Sequence, residues 1–303
     1  MGKSSEASLR DSHKEMPEIG RRNELRVVRE APPGLYLDGG ELGEILLPRR
    51  YIPDAIQLGD SLEIFLYLDS EDRLVATTER PHAKVGDFAC LRVVGVTPGI
   101  GAFLDWGLAK DLLLPIREQE HRVHQGDWVV AFIYLDEESG RIVASTRLGR
   151  HLSPEPPKYA EGQPVQLLIA RETPLGYQAI VENAHWGLLY HSELAGPLQL
   201  GESLRGFVRA VREDGKLDLG LDPAGYGRVA PLAHRIIQAL EKNGGQLDFD
   251  DESTPESIRA AFGTSKKAFK QALGALLRER RIRFIQDGIE LVKESPDPKK
   301  GRG

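Results

Sequence analysis

The chain has 303 residues, which at about 150 residues per domain predicts two domains. Its 40 Lys and Arg against 46 Asp and Glu give a formal net charge of −6, which excludes a polycation that coats nucleic acid or anionic membrane indiscriminately. A single cysteine, Cys90, excludes an intramolecular disulfide and a cysteine-based zinc site, and it fits a reducing compartment. The longest apolar run, Trp128 to Leu135, is too short to span a bilayer, and residues 1–16 have no apolar signal segment. We therefore expect a cytoplasmic protein with no membrane partner.

A sequence pattern recurs three times in the first three quarters of the chain. Each copy begins with a glycine in an apolar segment, continues through a Leu-rich block and a Gly-Asp or Gly-Glu pair, and ends with two apolar segments around a polar turn. The first glycines, Gly34, Gly101 and Gly176, are 67 and then 75 residues apart. The same two separations hold for two further sets of anchors: Pro48, Pro115 and Tyr190, and Gly59, Gly126 and Gly201. Three anchors in step indicate a true internal repeat.

Within each copy, short segments rich in Val, Ile, Leu and aromatic residues alternate with Gly, Pro and Asp turns, which predicts about five strands. Five strands in this length are typical of a small closed barrel, which leaves no strand edge exposed. We predict barrels over residues 19–81, 82–150 and 161–223, with a stiff Pro-rich linker at 151–160. The ends of the chain, 1–18 and 293–303, are predicted to be disordered tails.

After the third copy the apolar spacing becomes helical. A first helix is predicted over Val229 to Asn243, and a second begins at Thr254-Pro255. A third follows Thr264-Ser265 to about Arg281, and residues 282–292 form a hairpin with an Asp-Gly turn. This order predicts a winged helix-turn-helix domain over 224–292. The fold class is therefore mainly β: three tandem five-stranded barrels followed by a C-terminal α/β winged-helix domain.

Two blocks in the repeats resemble the S1 RNA-binding domain, a five-stranded oligonucleotide-binding (OB-fold) barrel. They are Gly101-Ala102-Phe103-Leu104-Asp105 in the second copy and Gly187-Leu188-Leu189-Tyr190-His191-Ser192-Glu193-Leu194 in the third. Three such barrels followed by a winged helix resemble, over about residues 19 to 292, the conserved virulence factor B family of bacterial RNA-binding proteins.

The resemblance implies three RNA-contacting positions in each barrel. They are an aromatic residue on the second strand (Tyr36, Phe103, Gln178), a His or aromatic in the second block (Pro48, Pro115, Tyr190) and a basic residue after the last strand (Glu79, Arg147, Asp222). No copy keeps all three. The candidate RNA-binding residues of the barrels are Tyr36, Phe103, Trp106 in the adjacent loop, Arg147, Tyr190 and its neighbour His191.

Phe103 alternates with Ala102 and Leu104, so its ring points outward if these two point into the barrel. An exposed ring can stack on a base of any identity for about 1–3 kcal/mol. Two other arrangements remain open: Phe103 covers a neighbouring barrel, and Trp106 packs under its own turn.

The winged helix is locally basic. Between Thr264 and Arg283 seven Lys and Arg stand against Glu279 alone, and Lys266, Lys267, Lys270 and Arg283 are candidate phosphate contacts. A solvated helix face with no ligand is the alternative.

These patterns predict a non-enzymatic protein that binds single-stranded RNA, with no cofactor and no metal. The resemblance implies a post-transcriptional or gene-expression regulator. The alternative is a DNA-binding transcription regulator that uses the winged helix, with the barrels as partner modules. A scaffold that binds proteins through the barrels is a third possibility.

Overall fold

The computed structural model describes residues 16–222 and 226–292. They divide after Leu148 into two compact units. The first unit contains two closed barrels, and the second contains a third barrel and a helical domain. Most of the two expected tails, and residues 223–225 at the expected boundary before the winged helix, lie outside the described residues.

Each barrel has five strands, arranged around the barrel in the order first, second, third, fifth, fourth. Barrel 1 consists of β1 Arg22–Ala31, β2 Gly34–Asp38, β3 Glu44–Pro48, β4 Ser61–Leu68 and β5 Leu74–Thr77. Barrel 2 consists of β6 Phe88–Thr97, β7 Gly101–Asp105, β8 Leu112–Pro115, β9 Trp128–Leu135 and β10 Ile142–Ser145. Barrel 3 consists of β11 Pro164–Thr173, β12 Gly176–Val181, β13 His185–Tyr190, β14 Ser203–Val211 and β15 Leu217–Gly220. The prediction of three five-stranded barrels is confirmed.

The first strand closes each barrel by pairing with both the second and the fourth strand. Its register shifts by one residue at Val28, Val94 and Ala170 in the three barrels. Such a bulge bends the strand and increases its twist, which lets one strand serve two neighbours in a closed sheet.

The glycines that mark the repeat are required by a close approach of two strands. A Cβ at Gly34, Gly101 or Gly176 would lie 2.0, 2.3 or 2.0 Å from a carbonyl oxygen of the paired third strand. No side chain fits at that distance, so these positions are the most regular anchors of the repeat.

Alternate residues of the strands fill the barrel cores, and the cores of barrels 1 and 2 are joined. Phe65 of barrel 1 and Trp106 of barrel 2 are both buried, with ring centroids 5.8 Å apart at an interplanar angle of 77°. This edge-to-face contact makes one continuous apolar cluster across the junction.

The segment 151–160, predicted as an extended linker, packs along barrel 3. The Tyr159 hydroxyl lies 3.1 Å from Nδ1 of His185, and the Ser153 N–H donates to the Ala184 carbonyl at 2.8 Å. These contacts place the segment on the barrel surface.

The C-terminal domain is the predicted winged helix. Its elements are α1 Tyr226–Lys242, β16 Gln246–Leu247, α2 Pro255–Phe262, α3 Lys266–Arg278, β17 Ile282–Ile285 and β18 Gly288–Leu291, with sheet order β16-β18-β17. Thr254 Oγ1 accepts the Ser257 N–H at 3.2 Å, and Ser265 Oγ accepts the Ala268 N–H at 3.3 Å, which fixes the starts of α2 and α3.

Three details of this domain differ from the prediction. α1 begins before Val229, and β16 adds a third strand to the hairpin. α3 ends at Arg278 rather than near Arg281, because Arg280 adopts a left-handed φ of 56° and the Arg281 N–H bonds to the Leu276 carbonyl at 2.9 Å. None of the helices in the described part of the chain combines the length and apolar character needed to cross a membrane.

Candidate nucleic-acid interface

Phe103 points away from the core of barrel 2, as its alternation with two apolar neighbours predicts. Ala102 and Leu104 are completely buried, whereas Phe103 is half-buried on the outer face. Strand pairing places Gly95 of β6 on one side of Phe103 and Leu113 of β8 on the other. The ring is thus part of the barrel surface.

We call the site formed by this ring and two neighbouring positions the outer-face site. Its three positions are the first-strand residue opposite the ring, the second-strand residue itself, and the residue four positions before the end of the third strand. The set is Arg29, Tyr36 and Glu44 in barrel 1; Gly95, Phe103 and Asp111 in barrel 2; and Arg171, Gln178 and Trp186 in barrel 3.

In barrel 1 an arginine of the chain already fills the outer-face site. The Arg29 guanidinium lies 3.8 Å from the Tyr36 ring centroid. It donates from Nη2 and Nε to one Glu44 carboxylate oxygen at 2.6 and 3.1 Å. One face of the Tyr36 ring, predicted to stack on RNA, is therefore covered by this guanidinium.

Barrel 3 fills its site in a related way. Arg171 Nε donates to Gln178 Oε1 at 2.5 Å, and its guanidinium lies 5.4 Å from the Trp186 ring centroid. The sequence reasoning did not select Trp186, although an aromatic residue next to the Leu-Leu-Tyr block was a visible signal.

In barrel 2 the outer-face site is open. Gly95 has no side chain, and no ring or guanidinium of the described residues stacks on Phe103. Within residues 16–222 and 226–292, no cationic nitrogen lies within 4.0 Å of the Asp111 carboxylate. Burial and the nearby Asp105 carboxylate raise the pKa of Asp111 above its ordinary value. The outer-face site of barrel 2 therefore holds an uncovered aromatic ring and a carboxylate, and it lacks the arginine that barrels 1 and 3 have at this position.

Phe103 and Asp111 line a groove of about 290 Å³ at the junction of barrels 1 and 2. Barrel 1 contributes its β4–β5 turn, including Asp72, and Lys110 and Arg141 of barrel 2 stand in the same groove. Lys110 Nζ donates to the Asp69 carbonyl at 2.6 Å and lies 3.6 Å from Asp72, and Arg141 forms an ion pair with Asp72. The groove thus combines an aromatic wall with charged groups of both signs.

The prediction that Trp106 contacts RNA is wrong for this structure. Trp106 is 3% exposed, its ring packs edge-on against Phe65, and its Nε1–H donates to the Lys110 carbonyl at 2.6 Å. A ring buried on its own loop and on barrel 1 offers no face for stacking.

Arg147 does not meet Phe103. Its Nε donates to the Arg117 carbonyl at 2.8 Å, and it is absent from the groove that Phe103 lines. Arg147 is half-buried beside the turn after β8. Two residues that the resemblance implies for one site are thus held apart.

Tyr190 of barrel 3 is half-buried and held by polar contacts. Its hydroxyl donates to Asp218 Oδ1 at 3.1 Å and accepts a hydrogen bond from Arg212, whose guanidinium lies 6.0 Å from the ring centroid. Next to it, His191 Nε2 lies 3.0 Å from the Thr173 carbonyl. Arg212 was not predicted; it also lines a surface groove of about 420 Å³ with Gln178 and Trp186.

The predicted phosphate contacts of the winged helix all have partners within the chain. Lys270 pairs with Asp251 at 3.3 Å, Lys266 Nζ donates to the Glu252 carbonyl at 3.1 Å, and Arg283 pairs with Glu290. Lys267 pairs at 2.5 Å with Glu193, which follows Tyr190 in barrel 3. The first turn of α3 therefore lies against the block of barrel 3 that contains Tyr190 and His191.

Trp128 is an exposed aromatic residue that the sequence reasoning missed. It opens β9, is 58% exposed, and pairs with Arg92 across β6. Its position directly after the polar Gly126-Asp127 pair was the available signal.

No group of three or more His, Cys, Asp or Glu residues in the described ranges is arranged to hold a metal ion. The sites above are built from aromatic rings, guanidinium groups, ammonium groups and carboxylates, which suit stacking and hydrogen bonding with a ligand.

Comparisons with known proteins match this architecture. Residues 19–79 and 85–147 match the S1 domain model, and residues 234–291 match the CvfB-like winged helix domain. The chain is 26% identical over 270 residues to YitL of Bacillus subtilis strain 168, covering 87% of this chain and 90% of the relative. It is 24% identical over 248 residues to conserved virulence factor B of Staphylococcus aureus strain USA300, covering 80% and 82%.

A solved Streptococcus pneumoniae structure, described as a multidomain protein with nucleic acid binding domains, is 26% identical with a TM-score of 0.40 and covers 90% of this chain and 98% of that one. S1 barrels and winged helices are nucleic-acid-binding modules, and this chain contains both. The chain therefore contains S1 domains followed by a CvfB-like winged helix domain, and along most of its length it is similar to proteins named conserved virulence factor B.

Proposed function

We propose that the chain binds single-stranded RNA and regulates gene expression after transcription in the cytoplasm, without catalysing a reaction. The observation that carries this proposal is the contact between α3 and barrel 3. Through the Lys267–Glu193 pair, the basic helix adjoins the block that contains Tyr190 and His191. Aromatic and cationic groups thereby adjoin on one surface, a combination typical of single-strand binding.

The aromatic residues favour a single strand over a duplex. Phe103, Tyr190 and Trp128 are partly or largely exposed, and a ring stacks on a base only when that base is unstacked from its own strand. In a winged helix that reads duplex DNA, the recognition helix enters the major groove with its first turns. Here the first turn of α3 lies against barrel 3, which favours RNA over the DNA alternative.

The ion pairs of the winged helix are compatible with phosphate binding. Lys267 and Lys270 are about half exposed, at 52% and 49%. The Lys270–Asp251 pair is half exposed on both sides, and exposed pairs contribute only about 0–1 kcal/mol, so a phosphate can replace that carboxylate at little cost. The regulatory part of the proposal follows from the resemblance stated for the sequence, and relatives aligned along most of the chain are named conserved virulence factor B.

The test is equilibrium binding of the full chain to labelled single-stranded RNA, single-stranded DNA and duplex DNA over a range of salt concentrations. We expect single-stranded RNA to bind most tightly, with affinity falling as salt rises. Lys267→Ala should reduce the slope of log affinity against log salt by about one. Lys84→Ala, which removes an exposed lysine of barrel 2, is the charge-matched control and should leave the slope unchanged.

Tyr190 provides a second measurement. With an RNA long enough to engage both units, Tyr190→Ala should weaken binding roughly tenfold, since stacking of one base contributes about 1–3 kcal/mol. Tyr190→Phe keeps the ring and loses only the hydroxyl contacts to Asp218 and Arg212, so it should retain most of the affinity. Sequence-dependent duplex DNA binding tighter than RNA binding would instead support a DNA-binding transcription regulator.

A further inference from the structure

Barrel 1 shows what kind of group the outer-face site accepts. The group is the planar Arg29 guanidinium, stacked on Tyr36 with two N–H bonds directed at the Glu44 carboxylate. A fork of adjacent N–H donors facing a carboxylate is among the strongest hydrogen-bonding arrangements in proteins.

Barrel 2 keeps the ring and the carboxylate of this arrangement and lacks the guanidinium. Phe103 replaces Tyr36, Asp111 replaces Glu44, and Gly95 replaces Arg29. An added Cβ at Gly95 would meet no atom within 4 Å, so the space that the arginine side chain crosses in barrel 1 is open. Phe103 and Asp111 line one groove, so a single planar ligand can contact both.

The ligand must therefore be planar, must stack, and must present adjacent N–H donors to a carboxylate. Among the RNA bases only guanine does so, with N1–H and N2–H₂ side by side on its Watson–Crick edge. Adenine and cytosine place an acceptor nitrogen beside their amino group, and uracil places its N–H between two carbonyl oxygens. Each of these three bases would bring an acceptor against the Asp111 oxygens, which is unfavourable.

We propose that the outer-face site of barrel 2 selects a guanine base of single-stranded RNA, with Phe103 stacking on the base and Asp111 accepting its N1–H and N2–H₂ hydrogens. This inference rests on the proposed RNA binding and adds base selectivity to it. Lys110 and Arg141 balance the two carboxylates of the same groove, Asp72 and Asp111, so these four groups present no net negative charge to an incoming polyanion. Their bonds to Asp69 and Asp72 hold them at the groove.

The experiment measures binding of the full chain to short uridine oligoribonucleotides that carry one central guanine, inosine, adenine or uridine. Inosine keeps N1–H and lacks the 2-amino group. We expect guanine to bind about tenfold more tightly than inosine, since one hydrogen bond to a charged acceptor is lost, and more tightly still than adenine or uridine.

Three variants assign the effect to the site. Asp111→Asn should remove the preference for guanine over inosine, because the amide presents a donor where the carboxylate only accepts. Gly95→Arg should rebuild the barrel 1 arrangement, cover Phe103 and also remove the preference. Glu44→Gln is the matched control in barrel 1 and should leave it unchanged, since Arg29 already occupies that carboxylate.

The outcomes separate this proposal from the proposed function. No binding to any oligonucleotide would overturn both. Binding to all four oligonucleotides with equal affinity would overturn only the guanine site. If Asp111→Asn raises the affinity for all four oligonucleotides by the same factor, the guanine site is also overturned, because the loss of one negative charge would then explain the whole effect. If the four oligonucleotides show no guanine preference, and an arginine-containing peptide competes with them for the chain, the site would be assigned to a protein partner instead.

Discussion

At the scale of single residues, Phe103 and Trp106 belong to one barrel and stand in opposite environments. Phe103 faces outward between Gly95 and Leu113, whereas Trp106 is buried between barrels 1 and 2. Trp106→Ala should lower the free energy of unfolding by about 3–5 kcal/mol, since it leaves a cavity in the joined core. Phe103→Ala should change unfolding little and weaken RNA binding without altering its salt slope. Urea denaturation and salt-dependent RNA binding of both variants check the pair, and a large loss of stability in Phe103→Ala would contradict it.

Trp128 offers a second aromatic surface on barrel 2. Arg92 pairs with it across β6, and within the described ranges no carboxylate lies within 4.0 Å of the Arg92 guanidinium. An exposed ring beside an unpaired cation suits a base and its phosphate. We expect Trp128→Ala to weaken single-stranded RNA binding several-fold, consistent with stacking of about 1 kcal/mol or more, and to leave the thermal midpoint unchanged. Trp128→Phe should restore most of the affinity; failure to do so would count against stacking.

At the scale of elements, the β4–β5 turn of barrel 1 is tied to barrel 2 through Asp72. Arg141 and Lys110 both approach its carboxylate, and the hydrogen bond from Arg141 is the largest influence that holds the pKa of Asp72 below its ordinary value. A lowered folded-state pKa stabilises the fold above the unfolded value of 3.8, and this contribution disappears as pH falls through the folded-state pKa.

Asp72→Asn should therefore destabilise the first unit at neutral pH, and the difference from the unsubstituted chain should shrink below about pH 4. Urea midpoints measured across that range check this expectation. Asp54→Asn is the control, because Asp54 is an exposed residue of barrel 1 and within the described ranges no cationic nitrogen lies within 4.0 Å of its carboxylate. A difference that stays constant with pH would show that packing of the turn, rather than its charge, holds the junction.

Much of the fold could be predicted from the sequence because its signals are local. Strand alternation, the repeated glycines and the helix caps at Thr254 and Ser265 each depend on residues near in the chain. The burial of Trp106 could not be predicted in this way, since its partner Phe65 belongs to another barrel. Alternation correctly gave the orientation of Phe103, but not whether an arginine covers it.

The open site in barrel 2 escaped prediction for a specific reason. The two copies are offset by 67 residues at Gly34 and Gly101, but Arg29 and Gly95 are 66 residues apart. The connection between the first two strands is one residue longer in barrel 2, so aligning the copies by their period sets Arg29 against Val96. Only the strand pairing, with its bulges at Val28 and Val94, identifies Gly95 as the counterpart of Arg29.

At the scale of the whole molecule, the net charge of −6 limits how RNA can bind. A chain with more acidic than basic residues gains little from diffuse attraction, so affinity must come from local sites where rings and cations adjoin. The candidate sites fall in both units: Phe103 and Trp128 before Leu148, and Tyr190 and Lys267 after it. Two moderate sites on one chain favour long RNA over short RNA, because the second contact is intramolecular.

The dependence of binding on RNA length tests this argument in the full chain. One OB fold covers about 4–16 nucleotides, so an oligonucleotide at the lower limit occupies one site and a much longer one can engage both units. We expect the long RNA to bind far more tightly than site number alone predicts, and both Phe103→Ala and Tyr190→Ala to weaken it. With the short RNA, each single variant should have a small effect, since binding moves to the intact unit, and the double variant should lose most of the affinity. If each single variant has the same effect on the short RNA as on the long RNA, one unit alone binds RNA.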